Sequence, residues 1–481
     1  MAFSSVLFLF FFLPLALAVY FIPCGSRRGN IRLLALSLLF YAWTEREYTA
    51  VLVASIAINY FIALALSRAN RAGGAFSAKL IFAFGVAANL GLLIFFKYFN
   101  FLAENIHLAM QWADAGSFVP AKIYAPIGIS FFTFHALSYL TDVYRKDAAA
   151  LKNPLDVGLY LSLFPKILAG PIIRFRDAQK QLGARPADTA RIASGIERFV
   201  VGLAKKILLA NPLAAAADKI FAFPANELTF PVAWLGALCF TLQIYFDFSG
   251  YSDMAIGLGR IFGFDLPENF NYPYVSQSVQ EFWRRWHMTL SGWFRDYLYI
   301  PLGGNRRGVR RQYFNLITVF LLCGLWHGAS WTFILWGLWY GLFLVLERAG
   351  LNRLLQAAWR PLRHIYVLAV VMLGWVLFRA DSLGLAFAWM KALFGLGTGT
   401  GEHCYPAVFL NGEIILCLCA GVLASLPLGS ALRGRFRSAA ASGAFSTGIS
   451  SAYVLVLGVL FFLSCAAMAG GTQKSFIYFK F

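Results

Sequence analysis

The chain is poor in charge and poorer still in acid. Of 481 residues only 13% are charged, and 22 Asp and Glu stand against 41 Lys and Arg. A soluble globular chain carries about 25% charged residues, so a solvated surface of ordinary size is excluded. There is no Gly-x-Ser-x-Gly elbow, no P-loop and no internal repeat. Those absences remove the serine-hydrolase and nucleotide-cradle readings and give an inverted-repeat transporter no support. Seven cysteines (24, 239, 323, 404, 417, 419 and 465) sit mostly in apolar runs without metal-ligand spacing to histidine. They read as small buried residues, and no metal site is expected.

What remains is 60% hydrophobic, with 48 phenylalanines. This is the composition of an integral membrane protein. Runs apolar enough to be spans fall at 4–22, 31–44, 48–67, 79–97, 122–140, 192–213, 229–248, 312–327, 331–347, 365–380, 410–427 and 452–470. Two further apolar pieces, 155–173 and 252–264, are interrupted by Pro165, Gly170 and Pro171, and by Gly257 and Gly259. Such breaks suit backbone that lines a cavity rather than facing lipid. The first run lacks a basic leader and is followed by Arg27 and Arg28, so it reads as a retained span. Basic clusters follow the odd-numbered spans, as cytoplasmic loops should. The segments 98–121, 214–228 and 381–409 are poor in basic residues and read as outside loops. The net charge of +19 is then a positive-inside signal rather than a nucleic-acid footprint.

One polar stretch interrupts this apolar chain. Residues 280–336 carry seven arginines and two of the six histidines, His287 and His327, each flanked by tryptophan. Ionisable groups at membrane depth are costly and tend to mark function. His327, in LWHGASW, ends an apolar run, and Gly328 and Ala329 leave room beside its ring. A neutral imidazole there could take a proton from a hydroxyl and return it. A core histidine bonded to a carbonyl fits the residues equally well. Arg284, Arg285 and Arg295 near His287 could hold phosphates by bidentate contact, or form part of the positive-inside belt. Asp247, Ser249, Tyr251 and Asp253 form DFSGYSD after an apolar run and read as structural polar residues that pair with the arginines. His135, in FFTFHALSYLTD, reads as a satisfied core histidine. His107, His364 and His403 carry no signal in their loops.

FWRRWHMTLSGWFRDYLYIPLGGNR followed by LWHGASW resembles the signature region of the membrane-bound O-acyltransferase superfamily. PIGISFFTFHALSYLTDVYR, LFPKILAGPIIR and YFDFSGYSDMAIGLGRIFG extend the resemblance over most of residues 1–348. The nearer likeness is to the bacterial branch, with the membrane subunit of alginate O-acetylation and the D-alanyl transfer subunit of teichoic-acid modification. The resemblance implies one all-α polytopic domain over 1–481, of about eleven or twelve helices with broken helices around a tunnel. Its signature core would be 122–348, and 365–481 would form C-terminal helices and a tail. It implies acetyl transfer from cytoplasmic acetyl-CoA across a bacterial inner membrane to an exopolysaccharide such as alginate. Peptidoglycan, cellulose or teichoic acid are alternative acceptors, and a non-enzymatic transporter is the rival class. It makes His327 the catalytic base and His287 the second catalytic position. It also implies a separate periplasmic O-acetyltransferase and a polysaccharide synthesis and export complex as partners. Trp326, Ser330 and backbone amides are candidate donors to the oxyanion. The terminal aromatic run offers Tyr478 as an acyl relay, or as an interfacial anchor.

Overall fold

A computed structural model describes all residues except 24, 117–120, 184, 186–187, 225, 398, 400–403, 430–445, 472–474 and 478–481, with the side chains of 26 and 446–450 also left aside. Among the described residues the structure is helical and contains no strand. In chain order the principal helices are α1 Phe8–Phe21, α2 Ser26–Thr44, α3 Thr49–Arg71, α4 Ala75–Trp112, α5 Ile129–Tyr144, α6 Pro154–Ser162, α7 Thr189–Phe221 and α8 Phe230–Ile261. There follow α9 Val279–Arg285, α10 Met288–Phe294, α11 Val309–His327, α12 Trp331–Ala357, α13 Arg360–Arg379, α14 Leu383–Leu393, α15 Gly412–Ala424 and α16 Ser446–Ala469.

Seven of these are long and apolar enough to cross a membrane: α3, α4, α7, α8, α12, α13 and α16 over 451–469. The others expected as spans are shorter or carry charge at one end. Arginines 27, 28 and 32 load α2, Arg310 and Arg311 load α11, and α1 and α15 are short. The acid-bearing segments expected as loops begin as helix: 99–112 continues α4, 211–221 continues α7, and 383–393 is α14. His107 and His364 therefore lie on helices, while His403 lies outside the described residues.

The chain forms two compact units. The first comprises Met1, Val6–Ile196 and Ala255–Pro267. Its core packs Ile62 and Leu66 of α3, Tyr139 and Leu140 of α5, Val157, Tyr160 and Leu161 of α6, and Phe175. Asn59 and Asn89 exchange hydrogen bonds of 3.0 and 2.8 Å between α3 and α4. Such pairs satisfy amides that would otherwise be stranded in an apolar bundle. As anticipated for 155–173, the helix breaks: α6 stops at Ser162, one turn follows at Phe164–Ile167, and irregular backbone runs on. His135 is fully buried with its ring edge-on to Tyr160 at 5.6 Å. Its ring interacts with the Phe131 backbone one turn earlier, in keeping with a core histidine.

The second unit comprises Ala2–Ser5, Glu197–Met254 and Glu268–Phe481. Glycine governs its helix packing. A Cβ on Gly324 would lie 2.2 Å from the Phe333 carbonyl, and one on Gly337 would lie 2.3 Å from the Phe320 carbonyl. Backbone therefore meets backbone where α11 and α12 turn back on each other, as small residues permit between membrane helices. The glycines of 252–264 do not break α8, which runs unbroken to Ile261. Close approach is the theme again: Gly195 faces the Gly257 carbonyl within the first unit, and Gly202 faces the Gly250 carbonyl within the second.

Replacing Gly337 by Leu should force α11 and α12 apart. Membrane abundance is expected to fall several-fold, or the detergent-solubilised chain to melt at least about 5 °C lower. A blot and a melting curve measure both, and unchanged values would show the contact to be slack.

Candidate active site

Helices α9 and α10 are one amphipathic pattern broken at Trp286 and His287. Ser278 caps α9 by accepting from the Glu281 N–H at 3.0 Å. The buried Glu347 carboxylate accepts from the Val279 and Gln280 N–H groups at 2.6 and 2.9 Å. Two of the four orphan donors at that helix start are thereby matched, and the negative charge suits the positive helix end.

His287 begins α10 in a left-handed conformation, φ 43° and ψ 52°. For a branched ring system this costs of order 1 kcal/mol, and such strain gathers at functional sites. Asn269 holds it there. Its Oδ1 accepts from the His287 ring Nδ1–H at 3.0 Å and from the Thr289 hydroxyl at 3.0 Å, and its amide donates to Ser252 at 3.2 Å. An amide oxygen only accepts, so the proton sits on Nδ1 and the lone pair on Nε2. Nε2 is buried and bonds to nothing among the described residues. Burial pushes the imidazole down to about 3. Between that value and the ordinary 6.5 an unfolded chain takes up a proton that the folded one refuses. This contribution to stability is complete above 6.5 and is lost as pH falls toward 3.

His327 is the last residue of α11 and is buried. Three rings stand edge-on around it: Trp336 at 4.9 Å, Trp326 at 5.0 Å and Phe378 at 5.3 Å. Trp326 also lies 6.1 Å from the His287 ring, so one indole spans between the two imidazoles. The room expected beside Gly328 is taken. A Cβ there would lie 2.2 Å from the Phe333 ring, which packs onto the glycine. Ser330, expected near an oxyanion, instead caps α12 through the Thr332 N–H at 3.2 Å.

The rings around the histidines continue into a cluster of indoles, of which the sequence marks Trp283 as a flanking residue but not Trp375. Trp283 and Trp375 stand 5.7 and 6.3 Å from Trp336. The Nε1 donors of Trp283, Trp336 and Trp375 are all buried and unbonded among the described residues. Buried donors are almost always paired, so unpaired indole donors beside two histidines make this cluster a candidate for binding a ligand that brings acceptors. Trp375 and Phe378 lie far from the histidines in sequence, and only their residue types hinted at them.

The remaining expectations separate. Arg285 bridges to Glu281 at 2.9 Å, Arg295 to Asp296 at 2.8 Å, and Arg284 is exposed. A recess of about 260 Å³ instead lies between Gln280, Glu347, Arg348, Gly350, Asn352 and Arg353. Asp247 and Asp253 are buried, but their partners are not Arg284, Arg285 or Arg295. Asp247 pairs with Lys206 at 2.8 Å, and Asp253 with Lys205 at 2.7 Å and Arg198 at 2.6 Å. Ser249 and Tyr251 are buried on the same helix. Tyr478 lies outside the described residues. No group of three or more histidine, cysteine or carboxylate side chains that could hold a metal occurs among the described residues.

The family model of MBOAT, the membrane-bound O-acyltransferase family, matches residues 38–385. The chain belongs to this family and is an acyltransferase built as a multi-pass membrane protein. It is 43% identical over 423 residues to the probable alginate O-acetylase of Azotobacter vinelandii, covering 88% of this chain and 84% of that one. It is 38% identical over 433 residues to the peptidoglycan O-acetyltransferase of Helicobacter pylori, covering 82% and 80%. A shorter match, 31% over 228 residues, covers 44% of this chain and 56% of the teichoic acid D-alanyltransferase of Bacillus subtilis.

Replacing Asn269 by Leu should release the His287 ring from its tautomer and backbone pose. Acyl transfer is expected to fall at least about tenfold, the lower part of the range for a displaced proton-handling group. Transfer assays at equal membrane abundance check this, and undiminished activity would make Asn269 merely structural.

Proposed function

We propose that the chain transfers acetyl from cytoplasmic acetyl-CoA, across the inner membrane, for O-acetylation of an exopolysaccharide, with alginate as the first acceptor to test. The observation that carries the transfer chemistry is His327, buried among three aromatic rings at the end of a 19-residue helix. A helix C-terminus carries partial negative charge and stabilises an imidazolium as it forms. His327 is thereby suited to accept the proton of an acceptor hydroxyl. The hydroxyl oxygen attacks the thioester carbonyl, and the tetrahedral oxyanion is met by the unpaired indole N–H groups, Trp336 nearest the base. Collapse breaks the carbon–sulfur bond, and the proton on His327 passes to the departing thiolate. His287 stays neutral, and its Nε2 lone pair is free to accept from a second donor of the bound substrates, such as a neighbouring hydroxyl of the acceptor.

Donor phosphates need guanidinium groups free to form forks. Arg285 and Arg295 are engaged with carboxylates, whereas Arg348 and Arg353 face the open recess. Glu347 in the same recess is occupied by two backbone N–H groups and the Tyr366 hydroxyl. Arg284, exposed at the end of α9, is the remaining candidate from the motif.

The alginate reading is supported by the relatives that carry that name and match over most of their length. The peptidoglycan reading is supported by the Helicobacter pylori relative at comparable coverage. In either case a separate periplasmic transferase and the polymer's synthesis and export machinery complete the reaction. The Tyr478 phenol is the proposed carrier of the acetyl group between chamber and partner.

Cells carrying His327→Ala, with the protein confirmed at normal abundance, should lose polymer O-acetyl groups about 100-fold or more. Full acetylation would overturn the base assignment. Tyr478→Phe should likewise abolish export while leaving donor cleavage intact. Undiminished export would leave Tyr478 an interfacial anchor.

A further inference from the structure

The buried Asp247–Lys206 pair is not explained by the transfer chemistry. Both side chains are almost completely enclosed, and their charged atoms lie 2.8 Å apart. Taking two ions out of water costs several kcal/mol each before their attraction returns any of it, so an isolated buried pair is weak evidence for stability. Lys206 takes Asp247 Oδ1. Oδ2 accepts the backbone N–H of Ile477 at 2.9 Å, across 230 residues of chain.

The segment so held is the described end of the chain, 475–477. Ser475 and Phe476 belong to no helix or strand, and Ile477 has 3-10 form. Irregular backbone inside an apolar bundle persists only where protein groups satisfy it. Phe476 and Ile477 are both buried. The Phe476 ring stacks on Tyr251 at 4.6 Å, one helical turn beyond Asp247 on α8, and Phe3 stacks at 4.8 Å on that same tyrosine. Phe476 also lies 5.9 Å from Phe248, whose ring stands edge-on to His287 at 4.7 Å. A single phenyl ring therefore separates the docked segment from the strained histidine.

We propose that Asp247 is a positioning residue whose carboxylate clamps the C-terminal segment beside the histidine chamber, with Lys206 fixing the carboxylate and Tyr251 seating Phe476. The ion pair then has a purpose beyond cohesion: it presents one carboxylate oxygen, in a fixed direction, to a backbone amide. The clamp tethers the chain at Ile477. The consequence for acetyl transfer rests on the function proposed above, but the docking itself does not.

Cysteine labelling of the full-length chain tests it. Ile477→Cys is placed in a chain whose native cysteines are replaced, and maleimide labelling is timed in mild detergent. With Asp247 and Lys206 intact, labelling should be slow. With Asp247→Leu and Lys206→Met together, which leaves no unpaired charge, it should quicken at least about tenfold, the mark of a local opening. A monodisperse size-exclusion profile confirms the fold. Equal rates in the folded double variant would overturn the proposal. If that variant does not fold, hydrogen exchange of the unaltered chain decides. Protection of the Ile477 amide is expected, and exchange at the free-peptide rate would overturn the clamp. Acetyl transfer in the folded double variant is the separate functional arm. Released tail with undiminished transfer would count against a role for the tail in transfer and leave the docking intact.

Discussion

Without water, an unmatched polar group has no partner of last resort, and the arrangement of this molecule follows from that constraint. Most polar side chains in the bundle meet it by pairing: Asn59 with Asn89, Asp253 with Lys205 and Arg198, Glu347 with the start of α9. Around the two histidines several groups do not, as at a few other buried positions such as Trp389. His287 Nε2 and the indole nitrogens of Trp283, Trp336 and Trp375 are enclosed and unmatched. A site that binds an ester-forming substrate needs such a surplus, because the substrate's hydroxyls and carbonyls must find partners on entry that they lose in water.

The two histidines reach the chamber by different devices. His327 arrives on a rigid helix whose position is set by glycine contacts with α12, and Phe333 fills the notch at Gly328. His287 arrives at a break between two short helices and is held in a left-handed conformation by Asn269. One ring is fixed by packing and the other by a hydrogen-bonded strain. The local electrostatics also differ. His327 lies at the partly negative end of α11, while desolvation keeps His287 neutral. Under the proposed function, such unequal environments would divide a proton acceptor from a neutral orienting group.

Much of this was legible in the sequence where a residue type does one job. Apolar runs located most of the long helices, and the two tryptophan-flanked histidines, 40 residues apart in sequence, come to lie on either side of Trp326. The family followed from motif order. What was not legible depended on partners distant in the chain. Gly257 and Gly259 could not reveal that α8 runs on through them, with the Gly257 carbonyl against Gly195 and Gly259 against Phe264 and Leu266. Asp247 and Asp253 were expected to meet the motif arginines and instead meet Lys205, Lys206 and Arg198 of α7. Composition does not distinguish one basic residue from another. Asn269 resembles any loop asparagine until His287 is seen against it.

The central claim is that His327 drives cleavage of a thioester within this chain. The most direct test is thiol release from acetyl-CoA by the purified protein in lipid vesicles, with a small sugar polymer or water as acceptor. The account predicts measurable thiol release that His327→Ala abolishes at equal protein loading. Equal release by both proteins, or transport of an intact solute with no thiol released by either, would contradict it.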